Sequence, residues 1–152
     1  MFAGSYIRTL DDKLRIAIPR PLRDPLEATG SKVVYLGPGT ESTINVFTQK
    51  TLEEMGEKLG QAAPGPDQRV FSRLFFAQVQ PCELDGQGRI RLPAELQSWA
   101  KIESEVVLIG VRDHIEIWGS APWNAYMERW KSEFDTISDR AFGSPGRDGS
   151  TT

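Results

Sequence analysis

The feature that most constrains this chain is a repeat. The run Leu10-Asp11-Asp12-Lys13-Leu14-Arg15-Ile16-Ala17-Ile18-Pro19 returns as Leu84-Asp85-Gly86-Gln87-Gly88-Arg89-Ile90-Arg91-Leu92-Pro93, with leucine, aspartate, arginine and proline each recurring 74 positions apart. An aspartate at the head of such a run bonds the backbone ahead of it, and a glycine three residues on accepts positive φ without penalty, so the unit reads as a tight reversal. After the reversal, aliphatic residues alternate with period two, which describes a strand with one apolar face and Arg15 or Arg89 at its mouth. Pro19 and Pro93 end the ladder because proline has no N–H to donate. Each copy is expected to form a hairpin.

The length of 152 residues fits one domain or two small ones. Two units of roughly 70 residues would each bury too little surface alone, so the halves should share one core. The boundaries read as a first half-repeat over 1–60, a linker and helix over 61–76, a second half-repeat over 77–138 and a disordered tail over 139–152.

Within the first half, strands are expected over 5–10 and 15–18. Residues 20–26 read as one irregular turn, since Pro25 would interrupt any helix begun at Pro21. A strand over 32–36, a turn over 37–40 and a strand over 43–47 follow. Thr51 and Glu54 then form a capping box ahead of Leu52, Met55 and Leu59 at helical spacing. Val70, Phe71, Leu74 and Phe75 suggest the linker's helix.

The second half repeats the order, with strands over 77–84, 105–110 and 114–118 and a helix over 94–100. A final helix from Ser120 carries Trp123, Tyr126, Met127, Trp130 and Phe134, a stripe suited to core or subunit interface. The fold class is α+β, mainly β. Eight short strands in two related sets are expected to close into one small barrel with helices outside.

A net charge of −3 gives no global nucleic-acid signal, so any anion-binding surface must be local. Charge does sort locally: Arg8, Lys13, Arg15, Arg20 and Arg23 crowd the first turn, and Arg89 and Arg91 flank the second. The single Cys82 excludes an intramolecular disulfide and any CxxC motif, and reads as a small buried side chain. No apolar run approaches membrane-spanning length and the N-terminus lacks a signal-peptide pattern, so a soluble intracellular protein is expected. His114, the only histidine, reads as a packed or edge residue, and no nucleophile, Walker or metal-ligand pattern is present. Neither catalysis nor a cofactor is expected.

With both Asp-x-x-x-Arg turns and the following prolines in hand, the sequence resembles the MraZ family of bacterial transcription regulators from Met1 to about Phe134. The resemblance implies a swapped-hairpin barrel of the AbrB type, closed homo-oligomeric rings, and binding to repeated G-rich boxes upstream of division and cell-wall genes. It places the protein in the cytoplasm, associated with the nucleoid. Asp85, Gly88, Arg89 and Pro93 match the family pattern, as do Asp11, Lys13 and Arg15, but Leu14 stands where the family has glycine. A leucine in the left-handed region costs roughly 1–2 kcal/mol. The expectation is therefore a rearranged first turn, with the left-handed residue at Asp12 and Leu14 an ordinary strand residue.

Arg15 and Lys13 on a tight turn suit a major groove, where arginine pairs bidentately with guanine O6 and N7. Arg8, Arg20 and Arg23 would hold phosphates and set register. Arg89 has the same chemistry available, beside a structural role bonding Asp85. Asp11 and Asp85 read as turn-forming acceptors. The competing class is a ring-forming paralogue or interaction protein in which Leu14 records altered or lost DNA binding.

Overall fold

The computed structural model describes residues 1–143. They fall into two compact units, Met1–Ser120 and a unit that starts at Ala121.

The first unit is built on eight strands: β1 (Ser5–Thr9), β2 (Arg15–Ala17), β3 (Val33–Gly39), β4 (Thr43–Phe47), β5 (Gln80–Glu83), β6 (Arg89–Arg91), β7 (Glu105–Gly110) and β8 (Ile115–Gly119). Six form one antiparallel sheet in the order β1-β7-β8-β4-β3-β5, and β2 and β6 form a separate two-stranded ribbon. The ladder runs from edge to edge without closing, so the sheet is open where a closed barrel was expected. Nor is the fold mainly β: helices hold 45% of the described residues against 28% in strands, which leaves α+β as the class.

The expected hairpins at the repeated motif are not ladders either. β1 leaves the first turn's return strand and pairs with β7, while β5 pairs with β3. β2 meets β6, Ile16 opposite Ile90, and β4 meets β8. Every one of these pairings joins the first copy of the repeat to the second. Only β3–β4 and β7–β8 are hairpins within a copy.

Burial explains the exchange. Ile16 and Ile90 are buried side by side on one face of the ribbon, and one apolar cluster takes Ile16, Leu22 and Leu36 from the first copy and Ile90, Leu96 and Leu108 from the second. Strands of three residues cannot bury that much surface within their own copy.

Three local readings are corrected. Residues 20–27 form a helix, α1 (Arg20–Glu27), despite Pro25. The helix survives because Leu22 and Leu26, one turn apart, are both buried, and Pro21 sits where its missing N–H has no helical partner to lose. Gly37 to Gly39 stay in β3, and the turn falls on Thr40–Ser42, where Glu41 and Ser42 take positive φ. The helix α2 (Gln49–Gln61) is capped by Thr48, whose hydroxyl accepts the Thr51 N–H at 3.1 Å, rather than by Thr51 itself.

Helix α3 (Pro66–Phe76) buries only Phe75, leaving Val70, Phe71 and Leu74 exposed, and α4 (Ala94–Trp99) buries Leu96. Cys82 is half-buried, its thiol 3.5 Å from the Arg91 carbonyl, and burial pushes its pKa up. Among the described residues no helix is long and apolar enough to cross a membrane.

The last expected helix is two. α5 (Ser120–Trp130) ends in a 3-10 turn over Lys131–Glu133, and α6 (Phe134–Phe142) follows, carrying helix past Asp139, where the tail was expected to start. The rest of the expected tail, 144–152, lies outside the described residues. Trp123 stacks on Tyr126, and the Arg129 guanidinium lies 4.1 Å over the Trp130 ring.

Candidate nucleic-acid interface

The two repeated turns have the same hydrogen bonds, atom for atom. In the first, Asp11 Oδ1 accepts the N–H groups of Lys13 (2.9 Å) and Arg15 (2.8 Å), while Oδ2 accepts Arg15 Nε at 2.7 Å. In the second, Asp85 Oδ1 accepts from Gln87 (2.8 Å) and Arg89 (2.9 Å), and Oδ2 from Arg89 Nε at 2.8 Å. The Leu14 N–H donates to the Asp11 carbonyl as the Gly88 N–H donates to that of Asp85. Both aspartates are turn-forming acceptors, as expected.

These bonds set the charge state. The Arg15 backbone N–H, with the Arg15 side chain and Lys13 N–H behind it, holds Asp11 down to about 2 against partial burial. The Arg89 backbone N–H lowers Asp85 in the same way. Each aspartate therefore stays ionised at any ordinary pH, and each arginine has its Nε occupied. The two Nη atoms of Arg15 and of Arg89 have no protein hydrogen-bond partner among the described residues. A guanidinium held from behind in this way presents a flat pair of donors, the geometry that bidentate acceptors such as guanine O6/N7 or a phosphate require.

The structure overturns the rearranged first turn. Leu14, not Asp12, is left-handed, at φ 59°, and its counterpart Gly88 has φ 73°. The glycine geometry is kept under strain. Turn two needs its glycine for a second reason: Arg23 crosses it, its Nη1 donating to the Gln87 carbonyl at 3.2 Å, and a Cβ on Gly88 would run into the Arg23 side chain. Gln97 occupies Arg23's place in the second copy but bonds the Ile102 carbonyl instead, at 3.2 Å. Among the described residues no such arginine crosses turn one, and Leu14 packs against the core there.

The turns are tied to each other through the ribbon. The Leu92 N–H donates to the Leu14 carbonyl at 2.8 Å, and the Ile18 N–H to that of Gly88 at 2.9 Å. With Ile16 and Ile90 buried, strand alternation puts Arg15, Ala17, Arg89 and Arg91 on the outward face. Arg15 stands opposite Arg91, and Arg89 opposite Ala17.

The remaining expected residues sit around this face to different degrees. Lys13 is exposed on turn one; Arg20 is exposed at the start of α1, 3.8 Å from Asp24. Arg23 is largely taken up by turn two and Glu27. Arg8 lies on edge strand β1, its Nη1 on the Ile7 carbonyl. Arg91 was not among the expected contacts. Alternation with Arg89 put it on the outward face, but nothing in the sequence says which residue faces it across the ribbon.

His114 is packed, as expected, its ring 5.7 Å from that of Phe47. Its Nδ1 is 2.7 Å from Asp113 and its Nε2 3.3 Å from Glu116, which also accepts from Trp118 Nε1 at 3.0 Å. The carboxylates raise the His114 pKa, the hydrogen bond to Glu116 first, against the opposing effect of burial. No cluster of histidine, cysteine and carboxylate groups suited to a metal occurs among the described residues.

Comparison with known proteins adds two findings. A family model described as "MraZ protein, putative antitoxin-like" matches residues 75–144, the part that carries Gly88. Over 92% of its length the chain is 38% identical to the transcriptional regulator MraZ of Carboxydothermus hydrogenoformans and 36% identical to that of Moorella thermoacetica, in each case spanning 96% of the relative. The MraZ of Alkaliphilus metalliredigens is 38% identical over the same shares.

Proposed function

The chain belongs to the MraZ family, whose relatives are transcriptional regulators and not enzymes, and from that premise we propose that it binds duplex DNA sequence-specifically through the outward face of the β2–β6 ribbon and the first turn. The observation that carries this reading is the fixed Arg15 guanidinium, with Nε on Asp11 and both Nη atoms without an acceptor among the described residues. Arg15 reads guanine in the major groove, which admits a two-stranded ribbon. Lys13 enters the groove beside it; Arg8, Arg20 and Arg23 supply phosphate contacts, Arg23 while bracing turn two, and Arg89 is the equivalent reader in the second copy.

The two half-repeats, on this reading, exchange strands in the swapped-hairpin manner of the AbrB type, around an open sheet. The crossing of β1 to β7 and of β5 to β3 supports it. Copies of the chain assemble into a closed ring on repeated G-rich boxes upstream of division and cell-wall genes, as a cytoplasmic, nucleoid-associated regulator. Support for self-association comes from apolar side chains left in water on α3, with Val70 at 52% and Leu74 at 60% exposure, and from Ile7 at 62% on edge strand β1. A ring would align several weak turns on successive boxes, and avidity would supply the affinity that one turn lacks.

The persistence of the left-handed main chain at Leu14 favours a working site over a degenerate paralogue, since the Asp11–Arg15 pair is held as in the intact turn. The test is titration of a labelled duplex from upstream of its own gene, against a shuffled duplex of the same composition, with light scattering of the free protein. Preference for the native duplex by an oligomer is expected; a stable monomer at micromolar concentration, or equal affinity for both duplexes, refutes the proposal.

A further inference from the structure

We propose that Arg91 contacts the DNA phosphate backbone as part of the first turn's site, a residue lent by the second copy of the repeat to the first; this rests on the DNA-binding reading above.

The register carries it. Arg15 leaves turn one at the start of β2 and stands opposite Arg91, whereas Arg89 leaves turn two opposite Ala17. Ala17 is also the residue that matches Arg91 in the repeat. On the outward face of the ribbon itself the approximate twofold is therefore broken: Arg15 faces Arg91, whereas Arg89 faces Ala17, and the arginine that comes over turn two, Arg23, is already held by the Gln87 carbonyl and Glu27. The Leu92 N–H on the Leu14 carbonyl joins the end of β6 to turn one, so the Arg91 backbone is fixed relative to Lys13 and Arg15.

Charge compensation points the same way. Like charges directly opposite each other on neighbouring strands destabilise a ribbon. Asp11 neutralises Arg15 and Asp85 neutralises Arg89, but Arg91 is exposed and has no ion pair among the described residues. An anion arriving at that end would pair with the one arginine of the ribbon's outward face that no carboxylate neutralises among the described residues. Among the described residues no carboxylate orients the Arg91 guanidinium as Asp11 orients Arg15, so it lacks the fixed geometry that base reading demands, and a phosphodiester, which accepts from many directions, is the acceptor it fits.

The experiment titrates the full-length protein and its Arg91→Gln and Arg91→Lys variants at several salt concentrations, with the duplex from upstream of its own gene and its shuffled counterpart, and records thermal melts. Arg91→Gln should flatten the plot of log affinity against log salt by about 0.9 per engaged subunit, equally on both duplexes, with no fall in melting temperature. Arg91→Lys should keep the parent slope. An unchanged slope in Arg91→Gln, while Arg15→Ala still loses sequence preference, would overturn the role of Arg91 and leave the DNA reading standing. Failure of the parent protein to bind either duplex would overturn both. A loss of sequence preference in Arg91→Gln would show a base reader and overturn the phosphate assignment.

Discussion

Leu14 and Gly88 stand at the same point of two equivalent turns, both left-handed, at φ 59° and 73°. A leucine accepts there a conformation that costs it roughly 1–2 kcal/mol, because the alternative is to break the Asp11–Arg15 ion pair and the bond from Leu92 that the turn supports. Its side chain offsets part of that cost by packing on the core.

Position 14 should therefore rank substitutions in the reverse of an ordinary strand. Leu14→Ala keeps the strain and loses the packing, whereas Leu14→Gly loses the packing and the strain together. Glycine should be the more stable of the two by about 1 kcal/mol, read from denaturant midpoints at equal m-value. Alanine ranking above glycine would place the left-handed residue elsewhere.

Gly88 should tolerate nothing larger. Gly88→Ala adds strain of about 1–2 kcal/mol and displaces Arg23 from the Gln87 carbonyl. Arg23→Ala alone should cost roughly 1 kcal/mol through that lost hydrogen bond. In the background of Arg23→Ala the penalty for Gly88→Ala should shrink to the strain alone. Additive losses in the double-mutant cycle would contradict the contact.

Much of this was legible in the chain and some of it could not be. The 74-residue register located both turns, both buried isoleucines, the two accepting aspartates and the Asp85–Arg89 pair, because those depend on local spacing. Which strand pairs with which depends on long-range burial: the resemblance implied exchanged hairpins, but no local pattern names β7 as the partner of β1 or sets Arg15 opposite Arg91. Leu14 was misread because intrinsic cost was weighed without the tertiary bonds that impose the turn. Pro25 was misread for the same reason: two buried leucines decided for helix over a local breaker.

Acid should loosen the turns last. Asp11 and Asp85 are depressed in the folded state, so their contribution is present above the unfolded carboxylate range and is lost as pH falls through the folded values, about 2 for Asp11. Stability measured from pH 5 downward should fall less steeply in an Asp11→Asn, Asp85→Asn double variant than in the parent. Parallel profiles would contradict the shifts.

His114 has the opposite sign. Its pKa is raised by Glu116 and Asp113, so its contribution is complete below the unfolded value of 6.5 and is lost as pH rises through the folded one. His114→Gln should flatten the stability profile on the alkaline side of 6.5, and NMR titration of the ring should give a midpoint above 6.5. A midpoint at or below that value would refute the pairing.

The most direct test of the proposed site is a base-substitution profile of binding, measured for the parent, Arg15→Ala and Arg15→Lys on the duplex from upstream of its own gene. Arg15→Ala should cost roughly 1–3 kcal/mol per engaged subunit and erase the preference at one guanine of each box. Arg15→Lys, which cannot hold Asp11 through Nε and still present a flat donor pair, should lose that preference while keeping most of the salt dependence. Retention of the full parental profile by Arg15→Ala, with the protein folded and assembled, would contradict a DNA-reading first turn.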